Sequence, residues 1–193
     1  MPDSFYWVTG AIVILVVVVR YVINKKRGPR IPAALRAGRS LPDFPVVDEQ
    51  GNPIRSVQVV GSPTVMLFVR GNWCPFCTRQ VEGLTKHYKD IVDLGAKLIF
   101  VTPKPLETTR RVAEFFEVEF DFWLDDELVA AKQLGLVMEA GVPGESQKEY
   151  GSDTVWPTGL VIDAAGIIRF SKLSRLIIDR PDPRLLLAEL RKL

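Results

Sequence analysis

The feature that most restricts the fold is the stretch TVMLFVRGNWCPFCTRQ, residues 64–80. It begins with an almost unbroken apolar run, the pattern of a β-strand buried on both faces. Gly71, Asn72 and Trp73 then form a turn, and Pro75 fits the first position of a helix, where a missing N–H costs nothing. Beyond it, Cys77, Val81, Leu84, Tyr88 and Ile91 recur at helical spacing up to Gly95, and KLIFVTP, residues 97–103, supplies a second buried strand. A strand, a helix and a parallel strand make the crossover unit of an α/β sheet.

The flanking sequence extends this unit. Two short strand-like runs meet around Gly51-Asn52-Pro53, a hairpin signal. A helix is expected at Glu107 to Phe116, a short strand around Phe120 to Leu124, and a helix at Glu127 to Leu134. TGLVIDAAGIIRFSKL, residues 158–173, reads as two antiparallel strands turning at Ala164-Ala165-Gly166, and Pro183 to Leu193 as a closing helix with Leu185, Leu186, Leu187 and Leu190 on its apolar side. Residues 139–154 are polar and glycine-bearing, the pattern of a surface loop or a lid over a site. The chain contains neither internal repeats nor low-complexity tracts.

The N-terminus has a different character. Phe5 to Val19 carries no charge, and the run through Arg20 to Ile23 spans 19 residues, about 28 Å as a helix and enough to cross a bilayer. Asp3 precedes the apolar core and Lys25, Lys26, Arg27 and Arg30 follow it, the reverse of a cleaved signal peptide. Tyr6, Trp7 and Tyr21 suit the interfacial belts, and Arg20 lies close enough to the basic end to extend toward it. The expected organisation is a transmembrane anchor at 1–24, a basic juxtamembrane linker at 25–40 and a folded main domain at 41–193. Lys and Arg that follow a span favour the cytoplasmic side, so the domain is expected in the cytoplasm. Seven of the 25 Lys and Arg lie before Leu41, against one of the 23 acids, leaving 18 bases and 22 acids in the domain. That balance argues against nucleic-acid binding.

Cys74 and Cys77 are the only cysteines. Cys74 sits where the strand hands over to the helix. There, unsatisfied amides and the helix dipole favour a thiolate, while Cys77 lies one turn along, close enough to close a disulfide. Cys77, further into the helix, is expected to be more buried and less acidic. A zinc site needs four ligands, and one Cys-X-X-Cys with the single His87 is incomplete. Two inert buried thiols are the remaining alternative.

FVRGNWCPFC with its helix, KLIFVTP and VWPTGLVIDAAGIIRF together resemble the thioredoxin superfamily, and most closely its peroxiredoxin-like branch, the alkyl hydroperoxide reductase and thiol-specific antioxidant family. The similarity covers Leu41 to Leu193. It implies a thioredoxin-like α/β fold, a central mixed sheet flanked by helices, here preceded by one transmembrane helix. It also implies that Pro157 matches the cis-proline that faces the active-site disulfide in thioredoxins, leaving the preceding carbonyl free for a thiol substrate. Trp73 and Pro75 shape the same site. Peroxide-reducing members carry Thr or Ser three residues before the reactive cysteine, where this chain has Gly71, and an Arg near the strand start, where it has Pro157. Arg70 is either a substitute cation or an exposed strand-end charge.

Three functions remain open at this point. The first is thiol-disulfide exchange through the Cys74–Cys77 pair, the reading favoured by Pro157 and the missing Thr and Arg. The second is a thiol-dependent peroxidase with Cys74 attacking and Cys77 resolving, and the third a membrane-tethered interaction module. Both enzymatic readings need no metal or organic cofactor, only an external thiol donor; the expected partners are a protein thiol or disulfide, or a peroxide.

Overall fold

The computed structural model describes residues 3–27, 29–71, 73–103, 121–176 and 178–193. They form two units, residues 1–30 and 31–193. The first is one helix, α1 (Asp3–Arg27). Its window Tyr6–Ile23 has a mean hydropathy of 2.2 and no buried residue. By length and composition this helix can cross a membrane.

The second unit is built on a seven-stranded mixed sheet. Its strands are β1 (Pro45–Val47), β2 (Pro53–Arg55), β3 (Thr64–Phe68), β4 (Lys97–Thr102), β5 (Asp121–Leu124), β8 (Thr158–Ile162) and β9 (Ile168–Leu173), in the order β2-β1-β5-β4-β3-β8-β9. Strands β3, β4 and β5 run parallel, whereas β8 lies antiparallel to β3. A separate pair, β6 (Val137–Met138) with β7 (Thr154–Val155), completes the strands. The helices are α2 (Pro75–Thr85), α3 (Tyr88–Asp93), α4 (Val129–Leu134), α5 (Gly144–Tyr150) and α6 (Pro183–Leu190).

All five residues of β3 are buried, and their alternation divides the core. Met66 and Phe68 face a layer with Phe44, Leu35, Ala131 and Leu134, while Val65 and Leu67 face Cys77, Val81, Leu84, Ile91 and Leu186. The apolar run is continuous because helices cover both faces, each buried large side chain contributing about 1.5–3 kcal/mol. Cys74 and Cys77 belong to the second layer.

The hairpin, the parallel crossover and the β8–β9 pair stand where the sequence places them. The turn between β1 and β2 is organised by Asp48, whose Oδ1 accepts from the amides of Gln50 and Asn52. The helix expected at Glu107 to Phe116 lies outside the described residues.

Three expectations are corrected. The single helix after Cys74 is two, because Thr85 Oγ1 donates to the Val81 carbonyl at 3.0 Å and His87 N closes a short turn onto Leu84 O at 2.9 Å. Such back-bonding competes with the helical ladder and bends it. Residues 31–40, assigned to the linker, pair with the domain: Gly38 N donates to Ile168 O at 2.7 Å, Ile168 N to Arg39 O at 2.8 Å, and Leu35 is fully buried. Residues 139–154 are not simply a loop, since they hold α5 and lead into β7.

Candidate active site

Cys74 is the N-cap of α2, with extended backbone angles (φ −94°, ψ 103°) and Pro75 at the first helical position. Its carbonyl accepts from the amides of Cys77 (2.9 Å) and Thr78 (3.1 Å), which starts the helix and brings Cys77 round onto the same face. Both thiols are free, and they are 1% and 3% exposed respectively. Their surfaces are enclosed alike, and Cys77 lies deeper among protein atoms than Cys74, as its place further into the helix leads one to expect.

The two sulfurs differ in acidity. The Cys74 thiol is lowered from 9.0 to about 5. The largest cause is the hydrogen bond from the Cys77 thiol; burial opposes it, and the Cys77 amide and the Arg180 guanidinium reinforce it. The Cys77 thiol is pushed up by the same pairing with Cys74 and by burial.

Because the folded value of Cys74 lies below the ordinary one, the thiolate and its contribution to stability are present above the unfolded value and lost as pH falls through about 5. Alkylation of Cys74 by iodoacetamide is therefore expected to be half-maximal near pH 5 and flat by neutral pH. A midpoint near that of free cysteine, about 8.5, would contradict this.

Arg180 is the site residue that the sequence reading missed. Its Nη2 donates to Cys74 Sγ at 3.4 Å and to Cys77 Sγ at 3.7 Å, across 106 positions of chain from the first. Arg70 is also at the site. It is 3% exposed rather than a solvated strand end, its Nη2 donates to the Gly141 carbonyl, and its guanidinium carbon lies 4.5 Å from the Trp73 ring centroid. Burial lowers its pKa first, and the neighbouring Cys74 opposes that. Arg70 Nε, Trp73 Nε1 and Arg180 Nε are buried without a hydrogen-bond partner.

Gly71 adopts φ +117°, and a Cβ there would stand 2.8 Å from Tyr150 Cε1. Tyr150, at the end of α5, meets the Trp73 ring edge-on at 6.4 Å. The segment 139–154 thus reaches the site through Tyr150 and the Gly141 carbonyl. Pro75 is exposed, its part being to start α2.

Pro157 is buried just before β8, whose Thr158 pairs with Phe68 at the end of β3, so the register brings it to the same end of the sheet as Cys74. The expected cis bond is absent and the Trp156 carbonyl accepts from Thr158 Oγ1 at 2.9 Å. That carbonyl has two lone pairs and keeps one for a further donor.

The AhpC/TSA family profile matches residues 37–171. The chain belongs to the AhpC/TSA family. It is thereby placed among thiol-dependent oxidoreductases. Among relatives of this AhpC/TSA protein, chloroplastic peroxiredoxin Q of Sedum lineare is 23% identical over 104 residues, which cover 54% of this chain and 56% of that protein. The match thus spans little more than half the relative's length.

Among solved structures, peroxidoxin BcpB of Mycobacterium tuberculosis superposes with a TM-score of 0.67 at 21% identity, over 82% of this chain and 98% of its own. The bacterioferritin comigratory protein of Xanthomonas campestris, determined in work on its alkyl peroxide reduction activity, gives 0.62 at 14% identity over 84% and 94%. At these identities the likeness is one of fold, and it bears out the thioredoxin-like α/β architecture.

Proposed function

We propose that this AhpC/TSA protein is a thiol peroxidase, tethered to a membrane by α1, with its domain on the cytoplasmic side. The Cys74 thiolate attacks the distal oxygen of a hydroperoxide, the O–O bond breaks, and the alkoxide leaves to be protonated as alcohol or water. Cys74 becomes a sulfenic acid. Cys77 attacks its sulfur, releasing water and forming the Cys74–Cys77 disulfide, which two equivalents of an external thiol reduce.

The observation that carries this reading is the guanidinium of Arg180 on the sulfur of a family member's acidified cysteine. Relatives named for peroxide reduction support the substrate class. The enclosure of both sulfurs supports it independently, since a peroxide of few atoms reaches them more easily than a protein disulfide does. Disulfide exchange, suggested by the Cys-X-X-Cys spacing, would need a protein disulfide to reach these enclosed sulfurs.

Acidity alone does not make a peroxidase. At pH 7, lowering a thiol from about 8.5 to about 5 raises the thiolate fraction about 30-fold. On the scale for thiolate attack on disulfides, the weaker nucleophilicity of the acidic thiolate offsets this by about 40-fold. The rate gain must come from donors placed for the departing oxygen, worth about 10²–10³ for one such group.

Stopped-flow mixing of the reduced protein with an alkyl hydroperoxide, followed by Trp fluorescence, tests this. The rate constant is expected to exceed that of free cysteine by about 100-fold or more. A rate equal to free cysteine, with rapid reaction toward an oxidised protein dithiol, would overturn the peroxidase reading in favour of exchange.

A further inference from the structure

Two glycines outside any turn mark where the C-terminal segment is held. Gly159 lies inside β8, and a Cβ built on it would stand 2.8 Å from Pro181 Cγ and 3.2 Å from Pro181 Cβ. Gly83 lies inside α2, and its Cβ would stand 3.1 Å from Pro183 Cγ. A glycine within a strand weakens it unless another part of the chain must approach closely. Here the approaching groups are the two prolines that bracket Asp182. Each packs directly on the backbone of an element that forms the wall of the dithiol site. Gln80 adds a fastening, its Nε2 donating to the Pro181 carbonyl at 3.4 Å.

Arg180 immediately precedes the first of these prolines. Pro181 fixes its own φ and restricts the backbone of Arg180. The guanidinium is then held at both ends, with Nη1 donating to the Asp179 carbonyl at 3.0 Å and Nη2 to the two sulfurs. The other charged group facing Cys74 among the described residues is Arg70, from the end of β3. That side chain is tied to the Gly141 carbonyl and stacked on Trp73.

We propose that Arg180 is a catalytic residue serving both sulfurs of the pair, and that Gly159 and Gly83 are positioning residues that act through it by seating Pro181 and Pro183. One nitrogen between two sulfurs stabilises whichever carries the negative charge. In the reduced form that is the Cys74 thiolate. When an external thiolate attacks one sulfur of the Cys74–Cys77 disulfide, the S–S bond breaks, its electron pair passes to the other sulfur, and Arg180 faces the thiolate so expelled. The inference rests on the two cysteines being the redox pair and not on the identity of the oxidant.

The test titrates the thiolate absorbance of the reduced full-length protein in detergent and measures opening of its disulfide by dithiothreitol. Arg180→Ala is expected to raise the Cys74 midpoint by more than about one unit and to slow disulfide opening about tenfold. Arg180→Lys should recover part of both, since it keeps the charge and loses the planar fork. Gly159→Ala should shift the midpoint the same way, and should add nothing in an Arg180→Ala background. Pro181→Ala carries the same comparison if Gly159→Ala does not fold. Ile162→Ala, on the opposite core face of β8, should lower Tm and leave the midpoint in place.

An Arg180→Ala midpoint within about 0.3 unit of the unmodified protein would overturn the catalytic role. A Gly159→Ala or Pro181→Ala shift that persists undiminished without Arg180 would overturn the positioning role. Because no peroxide enters the titration, its failure and a failure of the peroxidase reading are separate results.

Discussion

Replacing Cys74 by serine is expected to abolish peroxide turnover, a loss of about 10³-fold or more, while leaving the fold in place. Serine matches cysteine closely in shape, and the helix start depends on the backbone carbonyl of residue 74, not on its side chain. A hydroxyl beside Arg180 stays protonated at neutral pH, so it lacks the nucleophile that the hydrogen bond from Cys77 and the guanidinium create at Cys74. Cys77→Ser should behave differently. Its hydroxyl still donates toward Cys74, so the first oxidation proceeds, but no second thiol of the chain condenses with the sulfenic acid, and turnover slows to the rate at which the external thiol reaches the enclosed Cys74. Excess peroxide should then carry Cys74 on to the sulfinic acid, which external thiols do not reverse. Peroxide consumption with a thiol donor, followed by intact mass, checks both variants; sustained turnover by Cys74→Ser would be incompatible with this mechanism.

The second large effect concerns Gly71. The family resemblance expects a hydroxyl here, which makes Gly71→Thr an obvious attempt at restoring peroxidase chemistry. We expect the opposite result. The backbone stands at φ +117°, a region that β-branched residues rarely enter, and the new Cβ would lie 2.8 Å from Tyr150 Cε1 and 3.3 Å from Trp73 Cδ1. The strained backbone costs about 1–2 kcal/mol and the overpacking about 1–3 more, so the variant should be destabilised by roughly 3 kcal/mol. For a domain of this size that is a fall in Tm of roughly 10 °C. Peroxide reactivity should not rise, because the substitution displaces Tyr150 from the wall of the site. Differential scanning calorimetry with the stopped-flow assay decides this. A Gly71→Thr protein of unchanged Tm and faster peroxide reaction would show that Tyr150 yields without cost.

What was legible in the sequence and what was not have a common physical origin. The buried strand, the turn and the proline-started helix are local patterns, so the place of Cys74 at a helix N-terminus could be read from residues 64–80 alone. The same holds for the hairpin at Asp48 and for the β8–β9 pair. Arg180 could not be read this way, because its role comes from a contact 106 positions away in the chain and its neighbours Asp179-Arg180-Pro181-Asp182-Pro183 have no periodicity. The signal that was present was indirect: glycines inside an otherwise regular strand and helix, at 159 and 83, opposite two prolines in one short segment. Pro157 illustrates the converse. Its place before a central strand is a local pattern, but the partners of the neighbouring carbonyl are not, and Thr158 Oγ1 donates to that carbonyl. Gly71 likewise looked like a missing hydroxyl until Tyr150, from a segment read as a loop, was found against it.

The proposed peroxidase reading rests on parts assembled from different positions: an acidified Cys74, a partner thiol one turn along, and a cation brought by the segment before α6. The most direct measurement is the intact mass and peptide map of the reduced Cys77→Ser protein after one equivalent of alkyl hydroperoxide. This account predicts the gain of a single oxygen atom, located on Cys74 and trapped by a sulfenic-acid reagent. An unmodified Cys74 under those conditions, in a protein that still exchanges disulfides with a dithiol partner, would contradict it.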